Sequence, residues 1–170
     1  MKCEYLECGK VLAPHGVRGA MKIDCWCDTP AVAAALPALY LKDGGKYTGL
    51  RLLHASPYKG GLLVTVEGIG DPEAAAALRG RVLYARREDL DPRGERVFYA
   101  ETYGLPVFDV DTGRTLGRVR EVDTSRKTVL YVITTEGGEV LLPDAPVFIK
   151  EIDVERGLFV RPIPGLFDEI

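Results

Sequence analysis

Apolar and polar positions alternate with a period of two along much of this chain, most clearly just after a short glycine-rich corner. From Met21 onward, Met21, Ile23, Cys25 and Cys27 point one way and Lys22, Asp24 and Trp26 the other, so Ala20 to Cys27 reads as a half-buried strand. A first strand is predicted from Tyr5 to Leu12. Between them lies Pro14-His15-Gly16-Val17-Arg18-Gly19. The glycines allow φ values that a Cβ forbids and the proline fixes its own φ, so the segment predicts a tight corner with His15 and Arg18 at its tip.

The same pattern continues. Strands are expected at Ala38 to Leu41, Tyr47 to Ser56, Leu62 to Glu67 and Arg81 to Ala85, with turns at Asp43-Gly44-Gly45 and Pro57 to Gly61. Two short helices interrupt them. Asp28-Thr29-Pro30 caps AVAAAL, which stops at Pro37, and Asp71-Pro72-Glu73 opens AAAALR, which Gly80 closes. Six short strands with one or two short helices suggest a small closed β-barrel.

Glu88 to Arg96, EDLDPRGER, is polar and turn-rich and reads as a domain boundary. Beyond it come Phe98, Tyr99 and Tyr103. Further strands are expected at Val107 to Val110, Thr115 to Val122, Thr128 to Thr135, Glu139 to Leu142 and Leu158 to Val160, with a strand or helical turn at Val147 to Ile152. This half reads as a second small β-barrel. The predicted class is all-β.

Composition changes this picture little. The chain has 170 residues, 46% hydrophobic and 28% charged, as expected of one ordinary or two small globular domains. The longest apolar run, Ala31 to Leu41, is broken by Pro37 and falls far short of the roughly 20 residues needed to span a bilayer. Acidic Glu4 sits where a signal peptide would be apolar, so a cytoplasmic protein without a membrane partner is expected.

Charge is uneven. Residues 1–90 carry 12 Lys+Arg against 10 Asp+Glu, and residues 91–170 carry 10 against 15. The first half suits a phosphate-bearing partner and the second a basic protein. Cys3, Cys8, Cys25 and Cys27 lack the C-x-x-C spacing of structural zinc and read as reduced thiols, so no metal and no cofactor is expected.

The stretch Gly9 to Ile23, GKVLAPHGVRGAMKI, resembles the opening G-K/R-h-x-x-x-H-G-h-x-G-x-h-K-h (h, apolar) of the RimM family of ribosome maturation factors. The second half resembles that family's PRC-barrel domain. The matching features are Gly104 to Val107, the G-x-x-x-G-x-V of Gly113 to Val119, the L-L-P of Leu141 to Pro143, the V-F-I-K-x-I-D of Val147 to Asp153, and the closing P-G-L-F. Together the two resemblances cover about the whole chain in the family's order. They imply an N-terminal β-barrel domain over 1–87, a linker over 88–97, and a PRC-barrel with a C-terminal tail over 98–170. Family members carry a Tyr-Tyr-Trp-like cluster before the PRC-barrel, associated with a ribosomal-protein contact; here Val97, Phe98 and Tyr99 take its place.

No catalytic set is visible. The two histidines, His15 and His54, stand apart from any H-E-x-x-H, P-loop or G-x-S-x-G motif, so a non-enzyme is expected. Lys10, His15, Arg18 and Lys22 cluster in or beside the corner, where cations can reach phosphates and unpaired bases. Lys59 and Arg86-Arg87 are weaker candidates. Phe98, Tyr99 and Tyr103 are either interface anchors or packed core.

The resemblance implies a monomeric assembly factor that binds the immature small (30S) ribosomal subunit near its head. It would meet 16S rRNA through His15, Arg18, Lys22 and Lys10, and small-subunit ribosomal protein nineteen through Phe98, Tyr99 and Tyr103. The alternatives are a PRC-barrel adaptor that binds only protein, and an enzyme built around a flavin or metal.

Overall fold

A computed structural model describes residues 2–167. The chain separates into two compact units. One is Glu4–Gly94; the other runs from Glu95 onward, with Lys2 and Cys3 grouping with it.

The first unit is a closed barrel. Its strands are β1 (Tyr5–His15), β2 (Ala20–Cys25), β3 (Ala38–Asp43), β4 (Lys46–Tyr58), β5 (Gly61–Val66) and β6 (Val82–Arg86), ordered β1-β2-β5-β4-β3-β6. The expected alternation is present: Met21 and Ile23 are buried, while Lys22 and Asp24 face out. Leu39, Leu62, Val64, Val66, Leu83 and Val11 fill the interior with them. Closing six strands round so small a core demands sharp bending. The pairing register slips at Glu7/Gly9 and Val11/Ala13 in β1 and at Leu52/His54 in β4, as bulged strands do.

Two capped helices cover the barrel. Thr29 Oγ1 accepts from the Val32 amide at 3.3 Å to start α1 (Pro30–Ala34), and Asp71 Oδ1 accepts from Ala74 at 2.8 Å to start α2 (Pro72–Ala76). Each begins with Pro at its first position, where the missing N–H costs nothing.

Both long strands outrun their expected ends. β1 continues to His15, so the corner proper is residues 16–19, and β4 continues through Pro57 to Tyr58. The polar stretch after β6 holds a one-turn helix, α3 (Arg87–Leu90), that the sequence pattern does not show. Asp91 is buried behind it, and its carboxylate accepts from Arg87 at 3.1 Å.

The second unit opens with another one-turn helix, α4 (Tyr99–Thr102). A six-stranded sheet follows: β7 (Pro106–Asp109), β8 (Thr115–Asp123), β9 (Leu130–Thr135), β10 (Gly138–Pro143), β11 (Ile149–Asp153) and β12 (Gly157–Val160). The order is β10-β9-β8-β7-β12-β11, antiparallel except for the parallel pair β12–β7. Val107, Tyr131, Ile133, Leu142, Leu158 and Val160 form its core. Gly117 explains the G-x-x-x-G-x-V motif, because a Cβ there would lie 2.3 Å from the Thr134 carbonyl oxygen of β9. Among the described residues, no helix is long and apolar enough to cross a membrane.

Candidate nucleic-acid and protein interfaces

The first candidate surface lies at one end of the β1–β2 hairpin. Pairing of β2 with β5 sets Lys22 opposite Leu63, and the β4–β5 hairpin pairs Tyr58 with Gly61, so the end of β4 comes to the outward face of β2. Tyr58 is the centre of the resulting cluster. The His15 ring meets its ring edge-on with centroids 5.5 Å apart, Lys22 Nζ lies 5.8 Å from its centroid and Lys59 Nζ 5.3 Å. Two ammonium groups and an imidazole therefore surround one aromatic ring, whose negative face favours the ammoniums.

The other predicted residues fall around this cluster. Lys10 is exposed on β1 opposite Asp24, on the barrel's outer side. Arg18 is exposed in the corner beside Val17, whereas the ring contacts of Tyr58 are with His15, Lys22 and Lys59. So the structure joins His15 and Lys22 and leaves Lys10 and Arg18 at the periphery. Sequence reasoning does not find Tyr58. It sits some forty residues from the corner, and its place depends on a β2–β5 pairing that local periodicity does not encode. The signal available is a Tyr-Lys-Gly-Gly turn, which displays whatever immediately precedes it.

The second candidate surface is built on α4. Phe98 has no side-chain oxygen with which to cap the helix. Glu101 serves instead, reaching back so that its carboxylate accepts the Phe98 amide at 3.0 Å, and also that of Cys3 at 3.1 Å. The Thr102 hydroxyl donates to the Tyr99 carbonyl at 2.6 Å. These bonds fix the single turn that carries the aromatic residues.

Val97, Tyr99 and Tyr103 are 39%, 38% and 50% exposed, so the structure presents them at the surface instead of sinking them in the core. Phe98 is half-buried, with the Arg96 guanidinium 4.8 Å from its ring centre. The Tyr99 hydroxyl donates to Asp144 at 2.6 Å, and its ring meets Tyr131 edge-on at 6.0 Å. Nothing in the local sequence marks either Asp144 or Tyr131.

Tyr131 is fully buried, and among the described residues its hydroxyl has no hydrogen-bond partner. Burial first, then the neighbouring Asp144 and Tyr99, push its phenol above the ordinary range. A polar atom left unpaired in a core is a cost that phenylalanine avoids. Tyr131→Phe is expected to keep the fold and raise stability by about 1 kcal/mol, read as a higher denaturant midpoint. A lower midpoint would mean that the hydroxyl makes a bond needed for stability.

Cys8 lies in the barrel core, with Cys25 and Cys27 packed against it. Cys8 is buried, and its hydrogen bond with Cys27, followed by burial, pushes its thiol far up. Among the described residues, no group of three or more His, Cys, Asp or Glu side chains is placed to hold a metal ion.

Fold and surfaces define a two-domain, all-β protein with a cationic–aromatic cluster on its barrel and an aromatic turn at the head of its second sheet. Family models match both parts: the RimM N-terminal domain over residues 6–90 and the RimM PRC barrel domain over residues 101–165. The chain belongs to the RimM family of ribosome maturation factors. It is 38% identical over 170 residues to ribosome maturation factor RimM of Symbiobacterium thermophilum, covering 98% of this chain and 96% of that one. It is 33% identical over 168 residues to that of Nitratidesulfovibrio vulgaris, covering 96% and 94%. It also resembles the solution structure of the N-terminal domain of RimM from Thermus thermophilus, at 24% identity and a TM-score of 0.44, over 53% of this chain and 98% of that one.

Proposed function

We propose that this protein is a cytoplasmic, monomeric assembly factor that binds the immature small ribosomal subunit near its head. The barrel face around His15, Lys22 and Tyr58, flanked by Lys10 and Arg18, meets 16S rRNA. The α4 face of Phe98, Tyr99 and Tyr103 meets small-subunit ribosomal protein nineteen. Binding assists folding and processing of 16S rRNA without chemistry by the protein and without a cofactor. The observation that carries this reading, beyond family membership, is the gathering of two lysine ammoniums and a histidine ring on one tyrosine at a barrel end. Exposed aromatic residues on α4 support a separate protein contact.

A binder assists maturation only by preferring one particle conformation over another, so affinity must differ between immature and mature subunits. Sedimentation with separated ribosomal fractions tests this. The tagged protein is expected to migrate with free small subunits and not with assembled ribosomes. Paired His15→Ala and Lys22→Gln changes should weaken association most at low salt, with a salt slope smaller by about one for each phosphate no longer held. Phe98→Ala with Tyr103→Ala should weaken it with little change in that slope. Absence of association at low and moderate salt would sink the reading.

A further inference from the structure

Beside Tyr58 the barrel surface holds a hollow of about 200 Å³, lined by Leu12, Lys22, Ile23, Asp24, the 58–61 turn and Leu62. Its make-up is not that of a routine solvated turn. Leu12 is 48% exposed beside it, and nothing lies within 4 Å of the point where a Gly60 side chain would begin. Tyr58 and Lys22 are half-buried there, and Lys59 is exposed.

The turn is a two-residue loop, Lys59-Gly60, with φ of 47° and 80°. Such loops favour Asn, Asp or Gly at both positions. Among the described residues, Lys59 is the single non-glycine with positive φ. A strained lysine stands where asparagine would fit better, and its ammonium lies on the Tyr58 ring.

We propose that this hollow is a subsite for one unpaired nucleotide of RNA, its base stacked on the Tyr58 ring and its phosphate held by Lys59 and Lys22. This rests on the reading that RNA is a partner of the barrel, and it names which form of RNA and which atoms. Aromatic rings accept any base by its face, and lysines that lie on the ring when no RNA is bound can swing to the phosphate. Asp24 fixes the direction. Its carboxylate accepts from Trp26 Nε1 at 2.9 Å and repels phosphate, so the backbone runs on the Lys59 side and base-edge N–H groups point to Asp24. Duplex RNA cannot enter, because its bases offer no free face.

The test uses the full chain, a short fluorescein-labelled single-stranded RNA of mixed sequence, and the same strand annealed to its complement. Fluorescence anisotropy is expected to show preference for the single strand. Tyr58→Leu, which keeps apolar bulk but removes the ring, should weaken single-strand binding about tenfold. Tyr58→Trp should restore it. Lys59→Asn relieves the turn, so the barrel stays folded while the salt slope falls by about one. Emission from Trp26, which shares a hydrogen bond with Asp24, should shift with single-stranded RNA and not with duplex.

Wild-type affinity in Tyr58→Leu, or equal affinity for duplex, would overturn the subsite. The ribosomal reading would survive that result if small-subunit association persisted. If the wild type neither bound RNA nor sedimented with small subunits, the broader reading would fail as well.

Discussion

Gly19→Ala is expected to cost the barrel at least about 3 kcal/mol and to displace the corner that carries Arg18 and follows His15. Two costs add. Gly19 has φ of 82°, a left-handed conformation that charges an L-residue roughly 1–2 kcal/mol. A Cβ there would also lie 2.3 Å from the Ile69 carbonyl oxygen, 2.8 Å from its carbonyl carbon and 3.0 Å from the Asp71 nitrogen. These are backbone atoms, so no rotamer change relieves the clash.

The loop itself would have to move, and with it Asp71, whose carboxylate caps α2 in a bond typically worth about 1 kcal/mol. Such a loss is a large share of the roughly 5–15 kcal/mol that holds a domain together. Trp26 is the chain's one tryptophan and lies in the barrel unit, so its fluorescence in urea follows that unit directly. Gly16→Ala is the control. Gly16 shares the corner and a φ of 69°, but nothing lies within 4 Å of its added carbon, so only the conformational cost of about 1 kcal/mol applies. Equal urea midpoints for the two variants would show that the close approach to Ile69 contributes nothing.

This contrast marks what was legible in the sequence. Both glycines could be read as corner residues, and the alternation after Met21 placed Lys22 outward and Ile23 inward, as they are. Six strands in the first half and five in the second followed from period-two patterning and turn residues, while Val147 to Ile152 read equally as strand or helical turn and holds most of β11. What separates Gly19 from Gly16 is a loop fifty residues downstream, and what completes the cationic cluster is Tyr58, brought in by pairing between strands that are not neighbours in the chain. Local pattern carries no such information. The aromatic turn was hidden for another reason. α4 has four residues, too few for helical periodicity, and its capping group is a glutamate that looks like surface charge until its burial is known.

That glutamate gives the second large effect. Glu101→Ala is expected to destabilise the second unit by about 4 kcal/mol, because one buried carboxylate satisfies two amides. Glu101 is 2% exposed and accepts from Phe98 at 3.0 Å and Cys3 at 3.1 Å. Alanine removes the carboxylate that both amides donate to, and each of the two charge-assisted bonds is worth about 1.5–3 kcal/mol. Glu101→Gln keeps the shape and one acceptor oxygen but turns an NH2 toward the other amide, so about half the loss is expected.

Hydrogen exchange over residues 95–105 reads the effect locally. Protection of the Phe98 amide should fall sharply in Glu101→Ala and partly in Glu101→Gln. Because the same bond sets the turn that presents Phe98 and Tyr99, small-subunit association should fall in the same order, while binding of single-stranded RNA by the barrel stays unchanged. Unaltered exchange in Glu101→Ala would show that α4 is held by its other neighbours. Loss of RNA binding together with subunit association would show that the two surfaces do not act separately.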